Sequence, residues 1–172
     1  MHVRPARVSD VDDIRRIEAS SGTVFDDAGM HDVAAAELPS AEHVAGYVRR
    51  GHAWVVADDR DAPVAFVLVD VVDGCAHVEQ VSVAREHHHN RYGRTLLEQV
   101  ATWAQARGMH ALTLTTFRDV PWNAPYYERC GFRTLRDDEI TPGLRDVRAH
   151  ETAHGLDPDA RVCMRRDLTA TP

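Results

Sequence analysis

A turn between a strand and a helix contains the residues whose types and spacing point most directly to chemistry. Residues 81–97 read as an alternating apolar strand, then the polar run Arg-Glu-His-His-His-Asn-Arg, then an amphipathic helix. A helix that starts from such a turn has unpaired backbone N–H groups at the positive end of its dipole. Groups of this kind bind anions, so the turn predicts a site for phosphate.

A tyrosine and a Gly-Phe pair form a second pattern further along the chain. Tyr127 lies four residues before Gly131 and five before Phe132. Together the two segments resemble the acyl-CoA site of the GNAT-type N-acetyltransferase superfamily, and the order of strands and helices agrees with that family. The resemblance implies one α/β domain over residues 1–172. It also implies a mixed, mostly antiparallel twisted sheet with flanking helices and a central splay between two parallel strands.

The resemblance implies that acetyl-CoA is the co-substrate and that the turn holds its pyrophosphate. An ungapped alignment with the family pattern puts His88 at the basic position, Arg91 at the first glycine and Gly93 at the second. His88 can donate a hydrogen bond to a phosphate, and Arg91 and Arg94 add positive charge. A side chain at Arg91 leaves less room for close backbone approach than glycine does. The implied cofactor-binding residues of the turn are His88, His89, Asn90, Arg91, Tyr92, Gly93, Arg94 and Thr95.

The rest of the cofactor and its thiol are assigned by the same resemblance. Pantetheine would pair with the exposed backbone of Val81 and Val83, as an added strand does. Tyr127 corresponds to the tyrosine that protonates the departing CoA thiolate, and a phenol with a pKa near 10 is protonated at neutral pH. Asn123 precedes Tyr127 by fewer residues than in the family pattern. The further implied contacts are Val81, Ser82, Val83, Asn123 and Tyr126.

A proton acceptor is needed because an amine arrives largely as an ammonium ion. Glu79 lies on the strand that leads into the turn, where members of the family often carry an acidic base. Partly buried carboxylates near a cleft have usefully raised pKa values. Glu79 is therefore the first candidate for the base, and His77, two residues earlier on the same strand face, is the second.

The acceptor is expected to be an amine of a small molecule or a peptide. Residues 21–39 show no clear period and can form a loop or broken helices at one wall of a substrate pocket. Phe25, Asp26 and Asp27 lie in this segment, while Trp122 and Tyr126 flank the expected reaction centre. These five residues are the candidates for acceptor binding. An acidic lining favours a cationic acceptor.

A competing pattern lies near the end of the chain. His150, Glu151 and His154 spell the His-Glu-x-x-His pattern of zinc proteases, in which the two histidines share a helix face. A third ligand is required, but neither His nor Glu follows His154. We therefore predict no metal site. A metal-dependent hydrolase and a non-catalytic CoA-binding or ligand-sensing module remain the alternatives to an enzyme of acyl transfer.

Charge and hydropathy exclude several classes of partner. The sequence has 20 basic and 27 acidic residues, and its net charge of −7 argues against a nucleic-acid partner. No apolar run has the length of a membrane span or a signal peptide. Three widely spaced cysteines favour reduced thiols over a disulfide framework. We therefore expect a cytoplasmic protein without a membrane partner, and a homodimer is left open.

The hydrophobic pattern predicts the elements that position these residues. Helices are predicted to begin after a cap at Ser9 or Asp10, at Ser40, after Gly93, around Ala124 and at Thr141. Strands are predicted at residues 2–7, 54–57, 64–72, 77–83, 111–117 and 161–166, with one more from Phe132. The strand–helix–strand unit over residues 77–117 predicts a right-handed parallel crossover.

Overall fold

The structure is a computed structural model that describes residues 1–27, 29–31 and 37–168. The α-helices in these residues are α1 (Val11–Asp27), α2 (Ala41–Arg50), α3 (Tyr92–Gln105), α4 (Ala124–Arg129) and α5 (Pro142–Ala153). The strands are β1 (His2–Pro5), β2 (Ala53–Ala57), β3 (Pro63–Val72), β4 (Cys75–Val83), β5 (Ala111–Phe117), β6 (Arg133–Thr134) and β7 (Arg161–Asp167). None of the helices described is both long enough and apolar enough to cross a membrane.

The strands form a mixed sheet in the order β1-β2-β3-β4-β5-β7-β6. Strands β4 and β5 are parallel, with the register Ala76↔Leu112 and His77↔Thr113. The pairs β1–β2, β2–β3, β5–β7 and β6–β7 are antiparallel. The predicted α/β fold with a mostly antiparallel sheet and one parallel pair is therefore confirmed. The chain divides into two compact units, Met1–Val69 with Gln80–Gln99, and Asp70–Glu79 with the chain from Val100 onward.

The apolar core of the first unit is built by α1, α2, β2 and β3. Val11, Ile14 and Ile17 recur at every third residue of α1 and are buried, so they mark one helix face. They belong to the same cluster as Val55 of β2 and Phe66 of β3. All five residues of β2 are buried, which is typical of a strand covered on both faces.

A buried ion pair fixes β1 to the start of α1. Arg4 Nη1 donates to Asp10 Oδ2 over 2.7 Å, and Arg4 Nη2 donates to Asp10 Oδ1 over 3.1 Å. Burial alone would raise the pKa of Asp10, but hydrogen bonds from Arg4 and from the Arg7 N–H hold it below its ordinary value. The bidentate geometry offsets the desolvation of both charges.

The second unit is organised around β5 and β7. These strands pair along the whole of β5, from Ala111↔Asp167 to Phe117↔Arg161. Leu135, Leu144 and Cys163 form a small apolar cluster. Leu144 belongs to α5 and Cys163 to β7. Thr115 of β5 donates a hydrogen bond to Glu151, so β5 lies beside the α5 helix that carries the His-Glu-x-x-His pattern.

The turn between β3 and β4 caps the N-terminus of α5. Asp73 and Gly74 both have left-handed backbones, with φ of 49° and 74°, as a tight two-residue hairpin turn requires. Asp73 Oδ2 accepts a hydrogen bond from the Gly143 N–H over 2.8 Å. A carboxylate at this position satisfies a helix N–H group that has no partner within the helix and favours the positive end of its dipole.

We expect Gly143→Ala to destabilise the protein by about 1–3 kcal/mol. A Cβ atom on Gly143 would lie 2.7 Å from Asp73 Oδ2 and 2.8 Å from Val72 Cγ1. Asp73 cannot withdraw without losing its hydrogen bond to α5. Chemical denaturation with urea measures the loss as a difference in the free energy of unfolding.

Gly22→Ala is the matched control for this substitution. A Cβ atom on Gly22, inside α1, meets no atom within 4 Å apart from its chain neighbours and the backbone of its own helix. Alanine favours a helix interior over glycine by up to about 1 kcal/mol, so this variant should be more stable than the wild type. Equal unfolding free energies in the Gly143 and Gly22 variants would contradict the explanation by steric contact.

The structure agrees with broken helices in the segment 21–39, for which a loop or broken helices were expected. Helix α1 continues through Asp27, and residues 29 and 30 are not helical. The end of this helix is held by contacts from a residue distant in sequence: the Arg85 N–H donates to Ser20 Oγ over 3.0 Å, and Arg85 Nη1 donates to Thr23 Oγ1 over 3.0 Å. Residue 28 and residues 32–36 of this segment lie outside the described residues.

Candidate functional site

The first unit contains the predicted phosphate site, at the passage from β4 into α3. Residues Arg85–Asn90 form a short 3₁₀ helix, and Arg91 then has a left-handed backbone with φ of 57°. Helix α3 begins at Tyr92, and the Thr95 N–H donates to the Arg91 carbonyl over 3.1 Å. The N–H groups of residues 92–94 precede this first helical hydrogen bond, so they have no partner within α3 and point out of its N-terminus.

Positive charge surrounds this helix N-terminus. The side chains of Arg91 and Arg94 are exposed, whereas Gly93 between them is buried and adds no side chain. The helix dipole and the two guanidinium groups together favour an anion. This donor set fits the phosphate groups of acetyl-CoA. His89, Asn90 and Thr95 are also exposed around this N-terminus, while Tyr92 is half-buried with its ring 6.1 Å from that of His87.

His88 makes a bond that the sequence did not predict. Its Nε2 atom lies 2.8 Å from the Val83 carbonyl oxygen. A carbonyl only accepts hydrogen bonds, so Nε2 carries the proton and donates. The side chain thus ties the 3₁₀ helix back to the end of β4. A phosphate contact through Nε2, as expected from the sequence, requires this bond to break.

The last residues of β4 direct backbone groups away from β3. The Ala84 N–H donates to the Val64 carbonyl over 2.9 Å, so Ala84 faces β3. Backbone direction alternates along an antiparallel strand, so Val81 and Val83 face the opposite side. Within the described residues, the register of β4 with its parallel neighbour ends at His77. This geometry suits the pairing of an extended ligand with the two valines.

We expect Arg91→Gly to stabilise the protein by about 0.5–1 kcal/mol. A left-handed backbone costs a residue with a Cβ atom about 1–2 kcal/mol. Glycine avoids that strain but loses about 0.5–1 kcal/mol in backbone entropy on folding. Urea denaturation checks the difference, with Arg91→Ala as the control because alanine removes the charge and keeps the Cβ atom. Equal unfolding free energies for the glycine and alanine variants would refute the assignment of strain.

In the second unit, the C-terminal cap of α4 holds Tyr127. Gly131 has φ of 89°, its N–H donates to the Glu128 carbonyl over 3.0 Å, and the Phe132 N–H donates to the Tyr127 carbonyl over 3.0 Å. These two bonds form a Schellman cap, which favours glycine at the left-handed position. The rings of Tyr127 and Phe132 pack edge-on with centroids 5.8 Å apart. The spacing from tyrosine to Gly-Phe therefore encodes the cap that orients the phenol.

The Tyr127 hydroxyl is protonated at neutral pH. Burial raises the pKa of Tyr127, Cys130 adds a smaller rise, and Arg161 opposes both. The phenol ring packs against Tyr126, at 5.4 Å between centroids, and against Phe132. Within residues 1–27, 29–31 and 37–168, no side chain forms a hydrogen bond with the Tyr127 hydroxyl. The hydroxyl can therefore donate a proton to a ligand without breaking an internal bond.

Glu79 lies two residues beyond the last registered pair of β4 with β5. Its side chain is exposed to solvent, although protein atoms lie densely around it. This surrounding protein raises the pKa of Glu79, and the carboxylates of Asp70 and Glu151 raise it further, while Arg161 lowers it. An exposed carboxylate with a raised pKa can take a proton from a substrate at neutral pH.

His77 differs from Glu79 in its surroundings. Only 1% of His77 is exposed, and its Nδ1 atom lies 2.9 Å from Thr113 Oγ1 on the neighbouring strand. Burial lowers the pKa of His77 to about 4, so the ring is neutral at physiological pH. A general base must reach the proton that it removes. The burial of His77 therefore favours Glu79 as the base.

Glu151 of the His-Glu-x-x-His pattern binds an arginine. Arg161 Nη2 donates to Glu151 Oε1 over 2.8 Å and Arg161 Nε donates to Oε2 over 3.1 Å, while Thr115 Oγ1 also donates to Glu151. His154 Nδ1 donates to the His150 carbonyl over 2.8 Å. No group of three or more His, Cys, Asp or Glu is placed to hold a metal ion among the residues that the structure describes. The pattern here forms an ion pair that joins α5 to β7.

The sequence matches the model of the acetyltransferase (GNAT) family over residues 12–132, which is most of the chain. This range includes the α3 N-terminus, Glu79 and the Tyr127 cap. The chain belongs to the GNAT family. Membership makes the protein an acetyl-CoA-dependent N-acetyltransferase and confirms the resemblance drawn from the two sequence patterns.

Solved structures share this GNAT fold at low sequence identity. A GNAT-family acetyltransferase from Staphylococcus aureus MU50 matches with a TM-score of 0.71 and 14% identity, over 98% of this chain and 99% of that one. The ribosomal-protein-S18-alanine N-acetyltransferase of Escherichia coli gives 0.64 and 17%, over 99% and 96%. N-acetylglutamate synthase from Neisseria gonorrhoeae, complexed with coenzyme A and N-acetyl-glutamate, gives 0.71 and 15%, over 98% of this chain and 35% of the synthase. The chain thus spans about a third of that synthase.

Three of the acceptor-binding residues predicted for this GNAT chain lie at the end of α1. Phe25 is half-buried, and the two aspartates are exposed. His31 Nδ1 lies 2.6 Å from Asp26 Oδ1, and Arg85 Nη2 lies 2.8 Å from Asp27 Oδ2. The ion pair with Arg85 neutralises much of the charge of Asp27, so the acidic lining expected from the sequence is weaker than the residue types suggest.

The other predicted residues lie around Tyr127 in the second unit. The Asn123 carbonyl accepts hydrogen bonds from the N–H groups of Tyr126, over 2.8 Å, and Tyr127, over 3.0 Å. Trp122 precedes them and is 39% exposed. The structure therefore brings Trp122, Asn123 and Tyr126 together with Tyr127. The contact of Asn123 with cofactor stays a prediction.

Sequence reasoning missed Glu18, a half-buried carboxylate on α1. Ser82 Oγ donates to Glu18 Oε2 over 2.6 Å. Ser82 was expected to contact the cofactor, but its side chain is directed to this glutamate. The available signal was weak, because a single glutamate at a helical position usually lies in solvent.

Proposed function

We propose that the protein transfers an acetyl group from acetyl-CoA to an amine of a small molecule or a peptide by direct attack in a ternary complex. The observation that carries the proposal is the N-terminus of α3, with its three outward N–H groups beside Arg91 and Arg94. Acetyl-CoA supplies the reactive thioester when bound. The outward backbone of Val81 and Val83 supports an extended position for pantetheine.

In the proposed reaction, Glu79 and Tyr127 each transfer one proton. Glu79 accepts a proton from the incoming ammonium group, so that the free amine can attack the thioester carbonyl carbon. A C–N bond forms and the C–S bond breaks. The Tyr127 hydroxyl donates its proton to the departing sulfur and is reprotonated from solvent, while Glu79 and the attacking nitrogen each release one proton to solvent. The products are an N-acetylated amine and free CoA thiol.

Titration calorimetry with acetyl-CoA, followed by an amine screen with a thiol-release readout, tests this function. Binding of acetyl-CoA together with thiol release that depends on one of the amines would support it. Acetyl-CoA binding without thiol release for any amine in the screen would argue against this function. It would leave a CoA-binding module without catalysis, the alternative that the sequence suggested through Arg91 at the family's glycine position.

Several statements about the whole protein remain predictions from the sequence. The cytoplasmic location, the single domain over residues 1–172 and the absence of nucleic-acid and membrane partners belong to this group, as does a homodimer. Gel filtration with light scattering measures the oligomeric state. Limited proteolysis tests whether the chain is cut between two separately stable parts.

A further inference from the structure

Among the residues that the structure describes, no cation pairs with Glu18, in contrast to the enclosed carboxylates Asp10 and Glu151. Asp10 has Arg4 as its partner, and Glu151 has Arg161. Burial raises the pKa of Glu18, and only uncharged groups, the side chains of Ser82, Gln80 and Ser21, lower it through hydrogen bonds. A desolvated carboxylate without a positive partner costs free energy.

Two serine hydroxyls lie within hydrogen-bond distance of one oxygen of the Glu18 carboxylate. Ser82 Oγ donates to Oε2 over 2.6 Å, and Ser21 Oγ lies 3.5 Å from the same atom. Gln80 and Ser82 are two residues apart on β4. Side chains at this spacing project from the same face of a strand, and here that face is directed toward α1. None of these three residues titrates in the physiological range.

Arg85, at the end of β4, makes other contacts. Its Nη2 atom pairs with Asp27 over 2.8 Å, its Nη1 donates to Thr23 Oγ1, and its N–H donates to Ser20 Oγ. These bonds direct its guanidinium to the end of α1. The local arginine therefore neutralises Asp27, and the charge of Glu18 is left for another cation.

We propose that Glu18 and Ser82 bind an ammonium group of the acceptor. A carboxylate and a hydroxyl supply the acceptor atoms that the N–H groups of a primary ammonium require. Ca²⁺ requires six to eight oxygen ligands, and a single carboxylate with one hydroxyl supplies far fewer. An organic cation therefore fits this pair of residues better than a metal ion. Glu79 and Ser82 are three positions apart on β4 and project from opposite faces of the strand, so this ammonium group is a second cation of the acceptor and not the nitrogen that Glu79 deprotonates. Its assignment to the acetyl acceptor rests on the proposed function, whereas the binding of an ammonium group does not.

Direct binding in the absence of acetyl-CoA tests the site. The probes are benzylamine and 2-phenylethylamine, each compared with the alcohol of the same skeleton, in NMR-detected titrations of the full chain. We expect the wild type to bind an amine more tightly than its alcohol, and Glu18→Gln to weaken amine binding by on the order of tenfold or more. Asp12→Asn, which removes an exposed carboxylate from the same helix, should leave the affinity unchanged.

A second measurement separates this role from a structural one. The raised pKa of Glu18 means that its ionisation opposes folding, so the wild type loses stability relative to Glu18→Gln as pH rises above the ordinary glutamate value of 4.5. Glu18→Gln should therefore have a higher Tm than the wild type at pH 8, with a smaller difference at pH 5. Ser82→Ala removes a hydrogen bond that lowers the pKa of Glu18, so amine binding should then require a higher pH.

Three results would overturn the proposal. They are equal amine affinities in the wild type and Glu18→Gln, amine affinities no tighter than those of the alcohols, and a lower Tm for Glu18→Gln. Failure of the proposed function has a different signature. Amines would then bind in a manner that depends on Glu18, but no amine or diamine in the acceptor screen would release thiol when acetyl-CoA is added.

Discussion

Tyr127→Phe is expected to lower kcat by on the order of 10²-fold while acetyl-CoA affinity and folding change little. The substitution removes only the hydroxyl. The phenyl ring keeps its edge-on contacts with Tyr126 and Phe132, and the Schellman cap uses backbone atoms alone. The departing thiolate would then take its proton from water. Thiol release at saturating acetyl-CoA and a confirmed amine measures kcat, and calorimetry measures the affinity.

Tyr47→Phe provides the matched control, because it removes the hydroxyl of a buried tyrosine in the core of the first unit. Any change in its kcat should be small, even if its Tm falls. Wild-type turnover in Tyr127→Phe would exclude Tyr127 as the acid and leave water as the proton donor. A similar loss in both variants would assign the effect to packing.

The sequence was informative about Tyr127 because local backbone rules determine its position. A left-handed residue is needed after a short helix, glycine accepts that conformation at little cost, and the next apolar residue packs back on the helix. Tyr127, Gly131 and Phe132 satisfy all three conditions. The predicted strand 111–117 and the predicted start of a helix at Ala124 also agree with the structure.

Contacts between residues far apart in sequence could not be predicted in this way. Glu18 and Ser82 are 64 positions apart and meet only when α1 packs beside β4. His88 is closer to its partner Val83, but the direction of its ring depends on the 3₁₀ helix between them. The last turns of α1 likewise receive hydrogen bonds from Arg85. The hydrophobic pattern of residues 21–27 contains no information about these bonds.

The His-Glu-x-x-His pattern shows how a long-range partner decides the role of a residue. Helical spacing correctly brings the ring of His150, in the last turn of α5, to that of His154, the residue that follows the helix, with centroids 4.2 Å apart. The role of Glu151 is set by Arg161 and Thr115, which lie on β7 and β5. A glutamate held by two donors is poorly placed to act as the base of a hydrolase. The spacing alone could not distinguish the two outcomes.

Glu79→Gln is expected to lower kcat/KM by on the order of 10²-fold when the pH is well below the pKa of the amine. Under those conditions almost every amine arrives as an ammonium ion, and glutamine cannot accept its proton. The loss should shrink as the medium becomes alkaline, because free amine is then present in solution. A pH series of kcat/KM at fixed ionic strength measures both limbs of the profile.

The raised pKa of Glu79 predicts the direction in which activity changes with pH. Protein atoms around the carboxylate contribute most to the rise, and the negative charges of Asp70 and Glu151 contribute the rest. The base acts only when ionised, so the activity of the wild type should increase with pH through this raised value. Asp70→Asn removes one of the two repelling charges, lowers the pKa of Glu79 and should move the acidic limb to lower pH. An acidic limb that persists unchanged in Glu79→Gln would assign it to another group, and an unchanged rate across the whole series would remove Glu79 from the mechanism.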